Sequence, residues 1–170
     1  MNHTLKQAQT LLNRDIQRST RFEIELKTPW FTHTNNDLIQ SVITPNRSVK
    51  YIENVNSVRN WNIATYYEIN DLQIEYIMNY NKKNYQDYQT WLDNIIDLNT
   101  RSLNYFSEYA EPCSCIIKTF DVKWIQNGYT LMEGIYPINV PGYTVKMESG
   151  NVPFTITLYV QKMTDYTLSI

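Results

Sequence analysis

Few residues in this chain have the type and spacing to do chemistry. The two histidines, His3 and His33, both lie in polar segments, and neither belongs to an HxH or HExxH pattern that would hold a metal. The two cysteines, Cys113 and Cys115, flank Ser114. On a strand they point to one face, a disulfide across so short a loop is strained, and CxC lacks the further ligands of a zinc site. Both are expected to be reduced, buried strand thiols. Glu23 and Glu25 share a strand face and read as solvated carboxylates. Asp121 and Glu133 could approach across a hairpin, although nothing in their spacing requires it. No GxSxG, GxGxxG or Walker loop is present, and 4 Gly in all leave little room for a phosphate cradle. No catalytic, cofactor or metal site assembles from these residues, so an enzyme is not expected.

The remaining sequence describes a scaffold. At 170 residues, with 42% hydrophobic and 19% charged, the chain reads as one globular domain spanning 1–170. It carries 14 Tyr and 19 Asn. A bias toward AT-rich codons accounts for both, and a large protein–protein surface would also favour Tyr. A formal net charge of −2 without a basic cluster argues against tight binding of nucleic acid. No window of roughly eighteen apolar residues predicts a membrane helix. The first twenty residues lack the apolar core of a signal peptide, so a cytoplasmic chain is expected.

In chain order, residues 1–20 read as a weak helix or an arm that orders on a partner. Residues 21–27 alternate Phe22, Ile24 and Leu26 against Glu23, Glu25 and Lys27, a half-buried strand that Pro29 ends. A polar turn is predicted over 32–37 and a second strand over 38–43. Residues 44–62 form a long polar segment, either a functional loop or an extended solvated hairpin, with 63–69 as its return strand. Residues 71–78 alternate again. The helix is predicted over about 82–98, with Tyr85, Tyr88, Leu92, Ile95 and Ile96 as its apolar stripe, Trp91 beside it, and Asn81 or Asn84 as cap. After an aromatic linker over 99–112, a long strand is predicted at 113–125. Asn127-Gly128 marks a hairpin turn, 129–135 the return strand, Tyr136-Pro137 a break, 143–147 a further strand, 149–151 a turn, and 153–162 a last alternating strand. The reading is mainly β: a small antiparallel sandwich or barrel with one amphipathic helix.

This order resembles the tail tube proteins of contractile-tailed bacteriophages over roughly residues 21–163. The resemblance is carried by Leu72-Gln73-Ile74-Glu75-Tyr76, by the helix from Tyr85 to Trp91-Leu92, and by residues 116–124. It continues in Gly134-Ile135-Tyr136-Pro137-Ile138-Asn139-Val140 and in Phe154-Thr155-Ile156-Thr157-Leu158. The aromatic-Pro followed about fifteen residues later by an alternating aromatic–Thr strand is its most telling part.

The resemblance implies a structural virion protein of the tail, assembled in the host bacterial cytoplasm. Homo-hexameric rings would stack into a hollow tube, with strands of six subunits closing one β-barrel around the lumen. The implied partners are the sheath protein, a baseplate initiator and the tape-measure protein, with DNA passing transiently through the lumen. An acidic balance suits such a conduit, because phosphate contacts would stall transit. The 44–62 segment corresponds to the family's long assembly loop, and Arg47, Lys50, Tyr51, Arg59 and Trp61 are its expected oligomer contacts. Charge reversal at Arg47 and Lys50 is expected to block ring and tube formation. A baseplate tube initiator or the inner tube of a secretion or injection machine would share the fold. A small-ligand-binding barrel with an aromatic-lined cavity is the alternative of another class.

Overall fold

The computed structural model describes residues 22–56, 59–78, 81–97, 99–120, 123–142 and 152–168, with backbone alone at 36, 53–56 and 59–62. The predicted arm over 1–20, Asp121, and the strand and turn predicted over 143–151 lie outside the described residues.

Eleven strands and two α-helices follow one another among the described residues. They are β1 Phe22–Lys27, β2 Thr32–Thr34, β3 Ile39–Ile43, β4 Arg47–Asn56, β5 Arg59–Ile69, β6 Leu72–Ile77, α1 Lys83–Ile95, β7 Ile96–Asp97, β8 Ser102–Leu103, α2 Phe106–Tyr109, β9 Ser114–Phe120, β10 Gln126–Asn139 and β11 Pro153–Thr167. Seven strands form one antiparallel, nearly closed barrel sheet in the order β2-β1-β9-β10-β11-β6-β3. β4 and β5 form a separate two-stranded hairpin, and β7 with β8 a short ribbon.

Alternation explains the core. Ile24 and Leu26 from β1, Leu72, Ile74 and Tyr76 from β6, Cys115 and Ile117 from β9, and Phe154, Ile156, Leu158 and Val160 from β11 all turn inward and are buried. α1 closes this face. Its fully inward residues are Asn84, Tyr88, Trp91 and Ile95, so the predicted stripe keeps Tyr88 and Ile95, its Tyr85 and Leu92 pack at the core's margin, and Ile96 drops out. Trp91 is at the centre and fully buried, Tyr85 and Leu92 are half-buried, and Ile96 is exposed because the chain turns extended there. The inward rotation follows the β1–β2 connection, whose Phe31 ring packs against both Tyr88 and Trp91. The Trp91 indole N–H donates to the Tyr109 carbonyl at 2.9 Å, which ties α2 to α1. The N-cap position is Lys82, without a side-chain cap bond, and Asn81 just before it accepts the Lys83 N–H at 3.1 Å. Asn84 instead reaches into the core and donates to the Ile77 carbonyl at 2.9 Å.

Other predicted boundaries move. Residues 32–34 are strand, not turn, paired to β1 with Leu26 opposite His33. The aromatic linker contains both β8 and α2. β9 stops at Phe120, and the turn into β10 falls before Asn127-Gly128, which lies inside β10. A Cβ on Gly128 would sit 2.7 Å from the Tyr166 carbonyl oxygen, so that glycine serves a close strand approach. Asn127 accepts the Thr119 hydroxyl at 2.8 Å beside a register slip. Tyr136-Pro137 does not break β10: Pro137 lies opposite Leu158, at a second register slip that accommodates its missing N–H.

Candidate assembly surface

The residues with chemical potential are dispersed. His33 is buried inside the barrel, contrary to its polar sequence context. Its Nε2 lies 3.0 Å from Asp87 Oδ2 and its Nδ1 3.2 Å from the Tyr76 hydroxyl, which lies 2.7 Å from that of Tyr88. Burial pushes both phenols above the ordinary tyrosine range. These four groups satisfy one another and pin α1 to β2 and β6. The free thiols of Cys113 and Cys115 are buried as expected. Burial raises the Cys113 thiol to about 12 and the Cys115 thiol further, so neither is primed as a nucleophile. Glu23 and Glu25 are solvated, facing Lys118 at 3.7 Å and Lys27 at 3.8 Å. Glu133 takes the Lys162 ammonium at 2.7 Å. Among the described residues no three potential ligands form a metal cluster, and no helix is long and apolar enough to cross a membrane.

The barrel interior is occupied by Trp91, Tyr76, Tyr88, Leu26, Met132 and their neighbours, the space an aromatic-lined ligand cavity would need. Surface depressions of about 220, 400 and 440 Å³ are open to solvent.

The β4–β5 hairpin is where the segment predicted as an assembly loop lies, and it takes the extended form. Its base is tied down: Pro45 is buried, the Asn70 N–H donates to the Asn46 carbonyl at 3.0 Å, and Ile69 packs on the core. Beyond the base its apolar side chains face water. Val49, Ile52, Tyr66 and Tyr67 are each at least 63% exposed, with Tyr51 at 62% and Ile63 at 51%. Cross-strand partners share a face, so Val49 meets Tyr67, Lys50 meets Tyr66, and Ile52 meets Ile63, with a register slip between Lys50 and Tyr51.

Of the predicted contacts, Arg47 and Lys50 make ion pairs within the chain. Arg47 Nη2 donates to the Met163 carbonyl at 2.6 Å and lies 3.2 Å from Asp165 Oδ2. Lys50 Nζ lies 2.8 Å from Glu68, whose hydrogen bond raises the lysine's pKa. Tyr51 is exposed, and Arg59 and Trp61 lie on β5 with side chains outside the described residues. Sequence reading missed Tyr66 and Tyr67, although paired tyrosines on a strand flanking a polar segment were visible at that position.

No family model and no curated protein matches this sequence. Solved structures do match the fold. A chain of the six-fold symmetrised baseplate of the anti-feeding prophage superposes with a TM-score of 0.64 at 13% identity, covering 91% of this chain and 98% of that one. A chain of the sheath–tube complex of the PVC extracellular contractile injection system, in its extended state, gives 0.62 at 12% identity over 95% and 97%. A chain of that system's sheath/tube terminator gives 0.63 at 12% identity over 90% and 98%. The chain therefore shares the fold of these contractile-injection-system chains, here a nearly closed antiparallel barrel with one packed helix and a projecting hairpin.

Proposed function

We propose that this chain is a structural tube subunit whose copies associate into six-membered rings that stack into the hollow inner tube of a contractile tail. A sheath would surround that tube, a baseplate initiator would start it, a tape-measure protein would fill it during assembly, and phage DNA would pass through it. The particle would form in the host bacterial cytoplasm. The observation that carries the reading is the hairpin. A two-stranded ribbon is marginal in water by itself, yet this one exposes Val49, Tyr51, Ile52, Ile63, Tyr66 and Tyr67 together. Exposed apolar surface of this kind marks an interaction site. Lys50, Tyr51, Arg59 and Trp61 are proposed as oligomer contacts with Tyr66 and Tyr67 added; Arg47, held within the chain by Met163 and Asp165, is not among them.

A second reading, a baseplate initiator or the inner tube of an injection machine, is favoured by the fold likeness to a baseplate chain. Negative-stain electron microscopy across a concentration series tests the proposal. Six-fold rings or hollow tubes are expected. Rings that never stack would favour the initiator role. Replacing Lys50 by Glu sets a carboxylate against Glu68 and is expected to abolish rings. Normal tubes from that variant would overturn the role given to the hairpin.

A further inference from the structure

Arg47 stands at a place where the barrel sheet is unfinished. β6 pairs with β11 only as far as Leu72 opposite Leu158. Beyond that point β11 continues to Thr167 with β10 on one side and, among the described residues, no ladder on the other. In an antiparallel strand alternate residues aim their backbone groups to opposite sides. The Met163 carbonyl faces away from β10, where it meets Arg47, so that of Asp165 faces the same way. An open edge of this length is a template for another strand.

We infer that Arg47 is a latch on this edge, holding it closed to a second copy of the chain until assembly. The inference rests on the tube-subunit reading. One guanidinium nitrogen caps the Met163 carbonyl at 2.6 Å and pairs with Asp165 at 3.2 Å. Asp165 is itself oriented by the Thr130 hydroxyl, which donates to its other oxygen at 2.6 Å. The Met163 carbonyl is the acceptor that a strand added to this edge would need, so Arg47 must leave before one can pair. Beside the edge an open groove of about 440 Å³ runs between β5 and β11, lined by Tyr66, Tyr67, Ile69, Tyr159 and Gln161.

The second copy is the fitting occupant because, among the described residues, the opposite flank is open too. The β9 ladder ends at Ser114 opposite Glu133, while β10 runs on to Asn139 with β11 alone. A chain open on both flanks adds head to tail, which closes into rings when the rotation permits. The latch is a solvated ion pair plus a charge-assisted hydrogen bond, and salt weakens it. It is therefore strong enough to bias association and weak enough to yield to it.

The test compares the full chain with R47A, R47K and D165N by light scattering and sedimentation over a concentration series, at low and high salt. R47A is expected to lower the concentration at which oligomers appear by about fivefold, the factor that ~1 kcal/mol sets. R47K and D165N fall between it and the parent. Added salt lowers the parent's threshold toward that of R47A and moves R47A less. Hydrogen exchange of the oligomer is expected to protect the Met163 and Asp165 amides, and their continued fast exchange would overturn the inference. Oligomers from parent and R47A at equal thresholds would overturn the latch and leave the tube reading standing. A higher threshold for R47A would make Arg47 an ordinary assembly contact. No oligomer of either at any concentration would overturn both.

Discussion

The two polar features of this protein are built in opposite ways. Around α1, His33, Tyr76 and Tyr88 are buried with a half-buried Asp87 at their edge, and each satisfies its neighbour at 2.7–3.2 Å. Along the β4–β5 hairpin, ion pairs at Arg47 and Lys50 sit in water beside apolar side chains with nothing over them. Buried groups become costly when a partner is removed, whereas solvated pairs contribute little to stability. The first region therefore maintains the fold. The second is left available for what the fold does.

The largest effect that would sharpen this contrast is expected at Trp91. W91A removes a fully buried ring and the indole bond to the Tyr109 carbonyl. A loss of about 3–5 kcal/mol is expected in urea unfolding. A loss below about 1 kcal/mol would mean that α1 does not anchor the core.

Next comes H33L, which leaves Asp87 and the Tyr76 hydroxyl without their imidazole partner. It is expected to cost about 1–3 kcal/mol. A neutral or stabilising result would break the claim that this network holds the helix.

The pH dependence follows from the same burial. Tyr76, Tyr88, Cys113 and Cys115 all have folded pKa values raised above those of the open chain. Their neutral forms are stabilising below the unfolded thiol and phenol values, near 8.5 and 10. As pH rises past these, the unfolded chain ionises first, and stability is expected to fall through about pH 9–12. Circular dichroism melts across that range check it, and C115A should flatten the early part of the fall. A stability that rises with pH there would contradict the burial of these groups.

The smallest effect on stability is expected at the hairpin. Y66S with Y67S should leave the melting curve within about 0.5 kcal/mol of the parent while removing rings in electron micrographs. If the pair unfolds the chain, the hairpin belongs to the core and the contrast fails.

Much of the architecture was legible in local pattern. β1, β6 and β11 were visible because alternation with period two writes the buried face directly into the residue order. α1 and most of its stripe were visible, but not that Trp91 would be its centre, because several rotations of a Tyr-rich, Trp-bearing helix bury similar apolar area. Phe31 and the sheet select the one that centres Trp91. His33 looked polar because its sequence neighbours are Thr and Asn. Only the partners supplied by β6 and α1, 43 and 54 residues away, make its burial affordable.

The same divide runs through the site. Composition and charge by themselves set the kind of protein: a β-rich chain of net charge −2 without glycine loops or metal patterns. Local alternation likewise determined that the sheet exists and which face of it is buried. The assembly of the seven strands decided the remainder, since pairing across long loops depends on contacts that no local pattern encodes. It decided that Asn127-Gly128 lies within a strand, that β10 passes through Pro137, and that β11 outruns β6 to leave a carbonyl for Arg47 to hold.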